Sequence, residues 1–357
     1  MRKVFCHTYD DIISLDNILL AWREFKRGKS KKKDVQIFEM HLMDNLIALH
    51  HDLKSGEYMH GAYEHFVISD PKRRDIHKAS VRDRVLHHAI YRKLYTFFDK
   101  AFIADSYSCR NNKGTHKAIN RYEVFARKVS KNYSKQAYVL KCDIRKFFAS
   151  IDHGILINIL DDYIVDQEVV RLLDRIIKSF YSTESGKGLP LGNLTSQLFV
   201  NIYINVFDQY IKHILKVKYY VRYADDFVIF VESKVKAECL RQKCEAFLTD
   251  KLALTIHPDK VFIQTVYAGL DFLGWVHFPD HRVLRRSTRR RVVRRVSEKN
   301  IMSYFGLLLY GNAYGVSEKV KAILFINNYY ALCHPSIFGN PKISRIHELR
   351  YWVLVYF

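Results

Sequence analysis

From about residue 10 to residue 55, apolar positions recur every three or four residues, the period of amphipathic helices. One basic stretch interrupts them, Arg27-Gly28-Lys29-Ser30-Lys31-Lys32-Lys33, either a solvated loop or an RNA contact. The period then changes. Glu64-His65-Phe66-Val67-Ile68 is strand-like and is followed by the turn Ser69-Asp70-Pro71 and the basic segment Lys72-Arg73-Arg74-Asp75-Ile76. A helix runs from Arg82-Asp83-Arg84 to about Phe98, and after a loop from Asp105 to Thr115 another ends near Val129. Tyr138-Val139-Leu140-Lys141-Cys142-Asp143-Ile144 has the pattern of a buried strand carrying a carboxylate at its end.

Residues 155–180 are again helical, and the turn-rich stretch Glu184 to Asn193 leads into a long helix through about Lys216. Two apolar runs, Tyr219–Arg222 and Phe227–Val231, enclose the four-residue tip Tyr223-Ala224-Asp225-Asp226, a hairpin pattern. A helix over about 235–251, strands near 254–257, 260–265 and 271–277, and helices beyond about 282 complete the chain. Strands and helices mix without regular alternation, and there is no repeat or Pro/Gly-rich linker. The predicted class is α+β.

Composition narrows the partners. The 357 residues are 48% hydrophobic, enough for a substantial core, and 58 Lys+Arg against 37 Asp+Glu leave a net charge of +21. Such an excess suits a polyanion, because each phosphate neutralised by Lys or Arg releases counterions. The 24 tyrosines and 23 phenylalanines add surfaces on which bases can stack, though most belong to the core. Six cysteines without CxxC spacing argue against a zinc module or a disulfide framework and suit a reduced, cytoplasmic setting. The histidine pairs His50-His51 and His87-His88 join no ligand set. No apolar run matches a signal peptide or a membrane span, so a soluble protein without a membrane partner is expected.

Adjacent carboxylates at a tight turn repel each other, and they make sense against a divalent cation. Asp225 and Asp226 form such a pair, and Asp143 at a strand end could supply a third ligand. Two Mg²⁺ ions so held, or Mn²⁺ in their place, can activate a 3′-hydroxyl and stabilise leaving pyrophosphate. Spacing alone leaves Asp152, Asp161 and Asp162 as rivals to Asp143.

At these residues the sequence resembles the reverse transcriptase family. Tyr223-Ala224-Asp225-Asp226 is similar to its catalytic hairpin, and Leu140 to His153 resembles the strand bearing the first metal ligand. The resemblance implies metal at Asp143, with Ile144 beside it, and at Asp225 and Asp226, and makes Phe148 the side chain that excludes a nucleotide 2′-hydroxyl, unless it is a core aromatic. Arg74 to Arg84 resembles the segment that grips the triphosphate, through Arg74 and Lys72. Ser106-Tyr107-Ser108-Cys109-Arg110 with Lys113–His116 resembles the next fingers motif and places Arg110 by template or nucleotide. Any of these cations could instead be a plain phosphate contact or a solvated charge. Leu254–Lys260 looks like the motif whose lysine, here Lys260, lies near the triphosphate, and Phe272-Leu273-Gly274-Trp275 looks like the primer-grip turn; Tyr223 joins it on the primer side.

The implied fold is a right-hand polymerase with an antiparallel palm sheet and a helical thumb: an N-terminal region and fingers over 1–135, a palm with interleaved fingers helices over 136–281, and a basic thumb over 282–357. Its implied ligands are RNA template, cDNA product and dNTPs.

Most members have Gln-Gly where this chain has Leu191-Gly192, and Ser-Pro where it has Ser196-Gln197. That form resembles the enzymes of diversity-generating retroelements, as do Phe272-Leu273-Gly274-Trp275 with its following Phe-Pro, Leu284-Arg285-Arg286-Ser287 and Ser303-Tyr304-Phe305-Gly306. Leu191, Gly192 and Gln197 are the implied nucleotide contacts; leucine cannot donate a hydrogen bond, so discrimination at Leu191 would rest more on shape, and the resemblance implies low fidelity at template adenines, unless Leu191 is packing filler. An accessory, positively charged protein is the implied partner. No HNH-type nuclease, RNase H or integrase pattern is present. A retron or antiphage-defence enzyme, and a non-catalytic RNA-binding protein on the same scaffold, are the alternatives.

Eight arginines between 282 and 295 would self-repel without a polyanion, and Arg285, Arg286, Arg289 and Arg290 are the expected backbone contacts, with solvated charge as the bland reading. The aromatic tail from Tyr310 to Phe357 is either thumb core or a docking face.

Overall fold

The computed structural model of the chain describes residues 4–69, 72–297 and 299–333. The far end of the aromatic tail, 334–357, and the turn residues Asp70 and Pro71 lie outside them. In chain order the elements are α1 (Tyr9–Ile13), α2 (Leu15–Lys26), α3 (Lys33–Met40), α4 (Leu42–Lys54), β1 (Glu64–Ile68), β2 (Arg74–Lys78), α5 (Val81–Phe98), α6 (Thr115–Val129), β3 (Tyr138–Asp143), α7 (Phe147–Ser150), α8 (His153–Asp161), α9 (Gln167–Lys178), α10 (Leu194–Gln209), β4 (Tyr220–Tyr223), β5 (Asp226–Val231), α11 (Lys234–Leu252), β6 (Phe262–Thr265), β7 (Leu270–Phe272), β8 (Trp275–His277), β9 (Arg282–Leu284), α12 (Arg286–Arg295), α13 (Ile301–Leu308) and α14 (Tyr314–Cys333). The α+β class follows, with antiparallel pairing in β1/β2, β4/β5, β7/β8 and β8/β9.

Two compact units divide the chain: residues 1–114, 140–230 and 235–263 in one, and 115–139, 231–234 and 264–357 in the other. These cuts differ from the expected boundaries after 135 and 281. In the second unit Ile119 of α6, Trp275 of β8, Leu284 of β9, Val292 and Val293 of α12 and Val320 of α14 share one core, which draws α6 and the strands β7–β9 to the arginine helix.

The first unit holds β4 and most of β5 and β3 from the sheet ordered β4-β5-β3-β6. Val221, Phe227, Val228 and Ile229 are wholly buried, so β4 and β5 are strands covered on both faces. Against them lies α10, apolar nearly all round, as a helix in the middle of a core must be. The helix expected through Lys216 ends at Gln209 and continues as a π-helical turn over Tyr210–Ile214. Caps set several starts. Asp152 accepts from Ile155 N–H at 3.0 Å to begin α8, and Asp166 caps α9, which splits the helix expected over 155–180. The strand expected at 254–257 reduces to a single bridge, Ile144 to Ile256.

Candidate active site

Tyr223 pairs with Asp226 across the hairpin, so the connecting tip is two residues, Ala224 and Asp225, rather than the four the sequence predicted; Asp226 is the first residue of β5. Ala224 sits at φ 54, in the left-handed region that side chains with a Cβ seldom occupy. Asp143 ends β3, and its neighbours tie it to that tip. Ile144 N–H donates to the Asp225 carbonyl at 3.1 Å, and His257 N–H donates to the Asp143 carbonyl at 2.8 Å. Backbone bonds thus bring the three aspartates to one place. The rivals are used elsewhere: Asp152 as a helix cap, while Asp161 is exposed and accepts from Gln167 and Asp162 is exposed.

Electrostatic crowding follows. Removal from water pushes Asp226 up to about 6; Lys141 opposes the shift, while Asp143 and Asp225 add to it. Asp225 is raised as well, first by burial and then by the Asp143 charge. Lys141 Nζ stands 3.7 Å from Asp226 Oδ1, and that buried oxygen has no hydrogen-bond partner. On Asp143, Oδ1 accepts from Lys260 Nζ at 2.7 Å. Among the described residues no group of three His, Cys, Asp or Glu side chains is placed to hold a metal ion as it stands. The chemistry nonetheless fits one: repelling oxygen donors, one of them orphaned, suit a hard divalent cation.

Around this centre the expected nucleotide residues divide. Lys72 is exposed, and its charge pulls Asp225 back toward the ionised form; Arg74 is exposed at the start of β2. Phe148 is half-buried, its ring edge-on to Phe147 at 6.1 Å; Phe147, 3% exposed, is the core aromatic of the pair. Leu191 is half-buried and its carbonyl accepts from His77 N–H at 3.0 Å. Asn193 closes the same latch, donating to the His77 carbonyl at 2.8 Å and accepting from Ala79 N–H at 3.2 Å. Gly192 between them has φ +108, and a Cβ there would stand 2.8 Å from Ile76 Cγ2. Gln197 lies half-buried in the first turn of α10.

Arg110, the expected template or nucleotide contact, is engaged within the protein. Its guanidinium pairs with Asp99 at 2.6 Å and donates to the carbonyls of Ile103, Ser106 and Asp99. It braces its own loop.

In the second unit the turn expected to serve as a primer grip is a hairpin with Leu273 and Gly274 at its tip, both at positive φ. Phe272 and Trp275 are 0% and 1% exposed, so these two are core, while Leu273 and Gly274 at the tip are half-buried. Arg285 precedes α12 and pairs with Asp271 at 3.3 Å. Arg286, Arg289, Arg290, Arg294 and Arg295 are exposed on α12, while Val292 and Val293 turn inward. Arg282 leaves this group: it lies in β9 and pairs with Glu123 at 2.9 Å.

Sequence reasoning missed Arg222 and Asp208, a fully buried ion pair at 2.7 Å beneath the hairpin tip. The available signal was a lone acid in the apolar run of α10 and a lone cation in the apolar run of β4.

A family model for reverse transcriptase (RNA-dependent DNA polymerase) matches residues 69–277, more than half of the chain. Protein YkfC of Escherichia coli K12 is 26% identical over 73% of this chain and 77% of its own length. The group II intron-encoded protein LtrA of Lactococcus lactis is 22% identical over 67% of this chain and 50% of its own, and the COX1/OXI3 intron 2 protein of Saccharomyces cerevisiae is 22% identical over 77% and 38%. The chain thus spans half or less of these two longer relatives. A structure of apo telomerase from Candida tropicalis, truncated from its C-terminal domain, aligns at 12% identity with a TM-score of 0.46 over 66% of this chain and 58% of that one.

Proposed function

This chain belongs to the reverse transcriptase family, the RNA-dependent DNA polymerases with a right-hand fold, and we propose that it extends a primer along an RNA template at Asp143, Asp225 and Asp226. One observation carries the site assignment. The Ile144 to Asp225 bond holds a strand end and a hairpin tip together so that three carboxylates crowd, with Asp226 raised to about 6 by burial first and by its acidic neighbours after it. Two Mg²⁺ ions held there would supply Lewis-acid activation of the primer 3′-hydroxyl and neutralise charge on the leaving pyrophosphate. Lys72, Arg74 and Lys260 bring positive charge to the triphosphate. The half-buried ring of Phe148 crowds the sugar 2′ position, and the face of Leu191 offers the base shape without a hydrogen bond.

Within the family the proposed role is synthesis of cDNA from a retroelement RNA with errors at template adenines, serving targeted diversification alongside a positively charged accessory protein. Leu191-Gly192 and Ser196-Gln197 support it. A second reading, an enzyme of the group II intron type, is favoured by the likeness to LtrA and the yeast intron protein. The retron and antiphage-defence alternative shares the same active-site chemistry. Intact carboxylates at 143, 225 and 226 oppose a catalytically silent RNA binder.

Primer extension on a defined RNA template, with Mg²⁺, four dNTPs and sequenced products, tests these readings beside an Asp225→Ala/Asp226→Ala control. Extension that the control abolishes, with errors concentrated opposite adenines, supports diversification. Even, low errors favour the intron, retron or defence readings. Extension by neither protein, with native RNA supplied, overturns polymerase activity.

A further inference from the structure

Arg222 is 0% exposed, and each of its five N–H donors has an acceptor. Nε–H is shared between Asp208 Oδ1 at 2.8 Å and Oδ2 at 3.0 Å. Nη2 donates to Asp208 Oδ2 at 2.7 Å and to Ser106 Oγ at 3.2 Å. Nη1 donates to Asn201 Oδ1 at 3.3 Å and to the carbonyl of Ala224 at 3.1 Å. Tyr220 adds a fourth hand, its hydroxyl donating to Asp208 Oδ1 at 2.7 Å. Four donors therefore hold the guanidinium against α10 and the loop at Ser106, and the fifth reaches the hairpin tip.

The target of that fifth donor matters. The Ala224 carbonyl belongs to the peptide that enters Asp225, and Ala224 is the tip residue at φ 54. The peptide that leaves Asp225 is held through its own carbonyl by Ile144 N–H at 3.1 Å. Both peptide planes flanking Asp225 are thus fixed from opposite chain segments, β3 on one side and Arg222 on the other. A strained turn keeps its conformation only when its surroundings over-determine it.

We propose that Arg222 is a positioning residue for the catalytic carboxylates: with Asp208 as its anchor, it fixes the tip so that Asp225 is aimed for metal binding. The proposal rests on the polymerase reading above. Burying an ion pair is costly, and packed apolar residues would stabilise the same interior at least as well, so the pair is better accounted for by the orientation it imposes. Lysine keeps the charge but presents its donors from one point and cannot reach Asp208 and the Ala224 carbonyl in the same fork.

The test compares Arg222→Lys and the milder Ser106→Ala with the wild-type chain in primer extension, with thermal unfolding measured in parallel. For Arg222→Lys the expected result is a fall in kcat of about tenfold or more, as misaim of a reacting group costs, with KM for dNTP and affinity for template–primer within about twofold. The Mg²⁺ concentration for half-maximal rate should rise several-fold. Ser106→Ala, which leaves the Asp208 pair in place, should move kcat and the Mg²⁺ requirement the same way by a smaller factor. If Arg222→Lys does not fold, Ser106→Ala decides. A folded variant with wild-type kcat and Mg²⁺ requirement, or one that changes only its unfolding temperature, overturns the positioning role while leaving the polymerase reading intact. No extension by the wild-type chain removes the reading beneath the proposal, and the proposal with it.

Discussion

Lys260 Nζ lies 2.7 Å from Oδ1 of Asp143, and the same ammonium draws Asp225 and Asp226 toward their ionised forms. A single cation from the segment after α11 thereby lowers the repulsion among all three carboxylates.

Lys260→Gln should therefore change the pH profile as well as the rate. Without the ammonium, the carboxyls at 225 and 226 bind protons more tightly, and a protonated carboxyl is a poor metal ligand. The acid limb of primer extension should move to higher pH, with turnover at pH 7 reduced about tenfold or more. A pH–rate profile for both proteins at saturating Mg²⁺ checks this. An unmoved acid limb would show that Lys260 does not govern the ionisation of the cluster.

Asp226→Asn should stabilise the metal-free protein while ending its activity. Burial pushes the folded carboxyl up to about 6 from an ordinary value of 3.8. A raised folded pKa makes ionisation unfavourable to folding once pH exceeds the unfolded value, and the penalty is complete above the folded one. At neutral pH it is on the order of 3 kcal/mol, and it vanishes below about pH 4. Without divalent ions, the variant should melt above wild type at pH 7, with the gap closing toward pH 4. Added Mg²⁺ should raise the wild-type melting temperature more than the variant's. A variant that melts lower at pH 7 would refute the cost of ionising Asp226 in the folded protein.

The hairpin was legible because its strands are short and apolar, Val221 and Phe227–Ile229 proving fully buried, whereas the choice of Asp143 over its rivals came from the family resemblance. The tip was overestimated because Tyr223 and Asp226 read as turn residues, and only the ladder reveals that they pair. Residue type is also silent about facing. Arg110, expected by template or nucleotide, also braces its own loop, and Phe272 and Trp275 of the expected primer-grip turn are buried. The Asp208–Arg222 pair depends on two elements folding against each other, which no local pattern encodes. The unit boundaries were hidden for the same reason, since the core shared by Ile119, Trp275 and Val292 joins distant segments.

Gly192→Ala should release the latch between β2 and the segment before α10. Its φ of +108 is strained for alanine, and the new Cβ would meet Ile76 Cγ2 at 2.8 Å. The expected cost is about 1–3 kcal/mol, read as a lower unfolding midpoint. KM for dNTP should rise with it, because His77 and Asn193 hold Leu191 through this turn. A wild-type midpoint and KM would mean the backbone there adapts without loss.

Arg289 and Arg290 are exposed on α12 beside the inward-facing Val292 and Val293. Changing both to Gln should weaken template–primer binding to a similar degree for all sequences. The slope of log affinity against log salt should flatten by about two, one for each lost phosphate contact. An unchanged slope would class these arginines as solvated charge.

Leu191→Gln tests the fidelity reading at one side chain. Leu191 is half-buried, with its main chain pinned to His77, so a side chain of similar length can be exchanged without moving the backbone. Glutamine restores a donor and an acceptor where leucine offers only shape, and a site with polar checks penalises a mismatched partner by leaving buried groups unpaired. The expected outcome is fewer misincorporations opposite template adenines, with errors at the other three bases changed much less, measured by sequencing cDNA from one template copied by both proteins. An equal fall at every base would point to a general tightening of the pocket. No change at adenine would make Leu191 packing alone and would move the chain toward the group II intron reading.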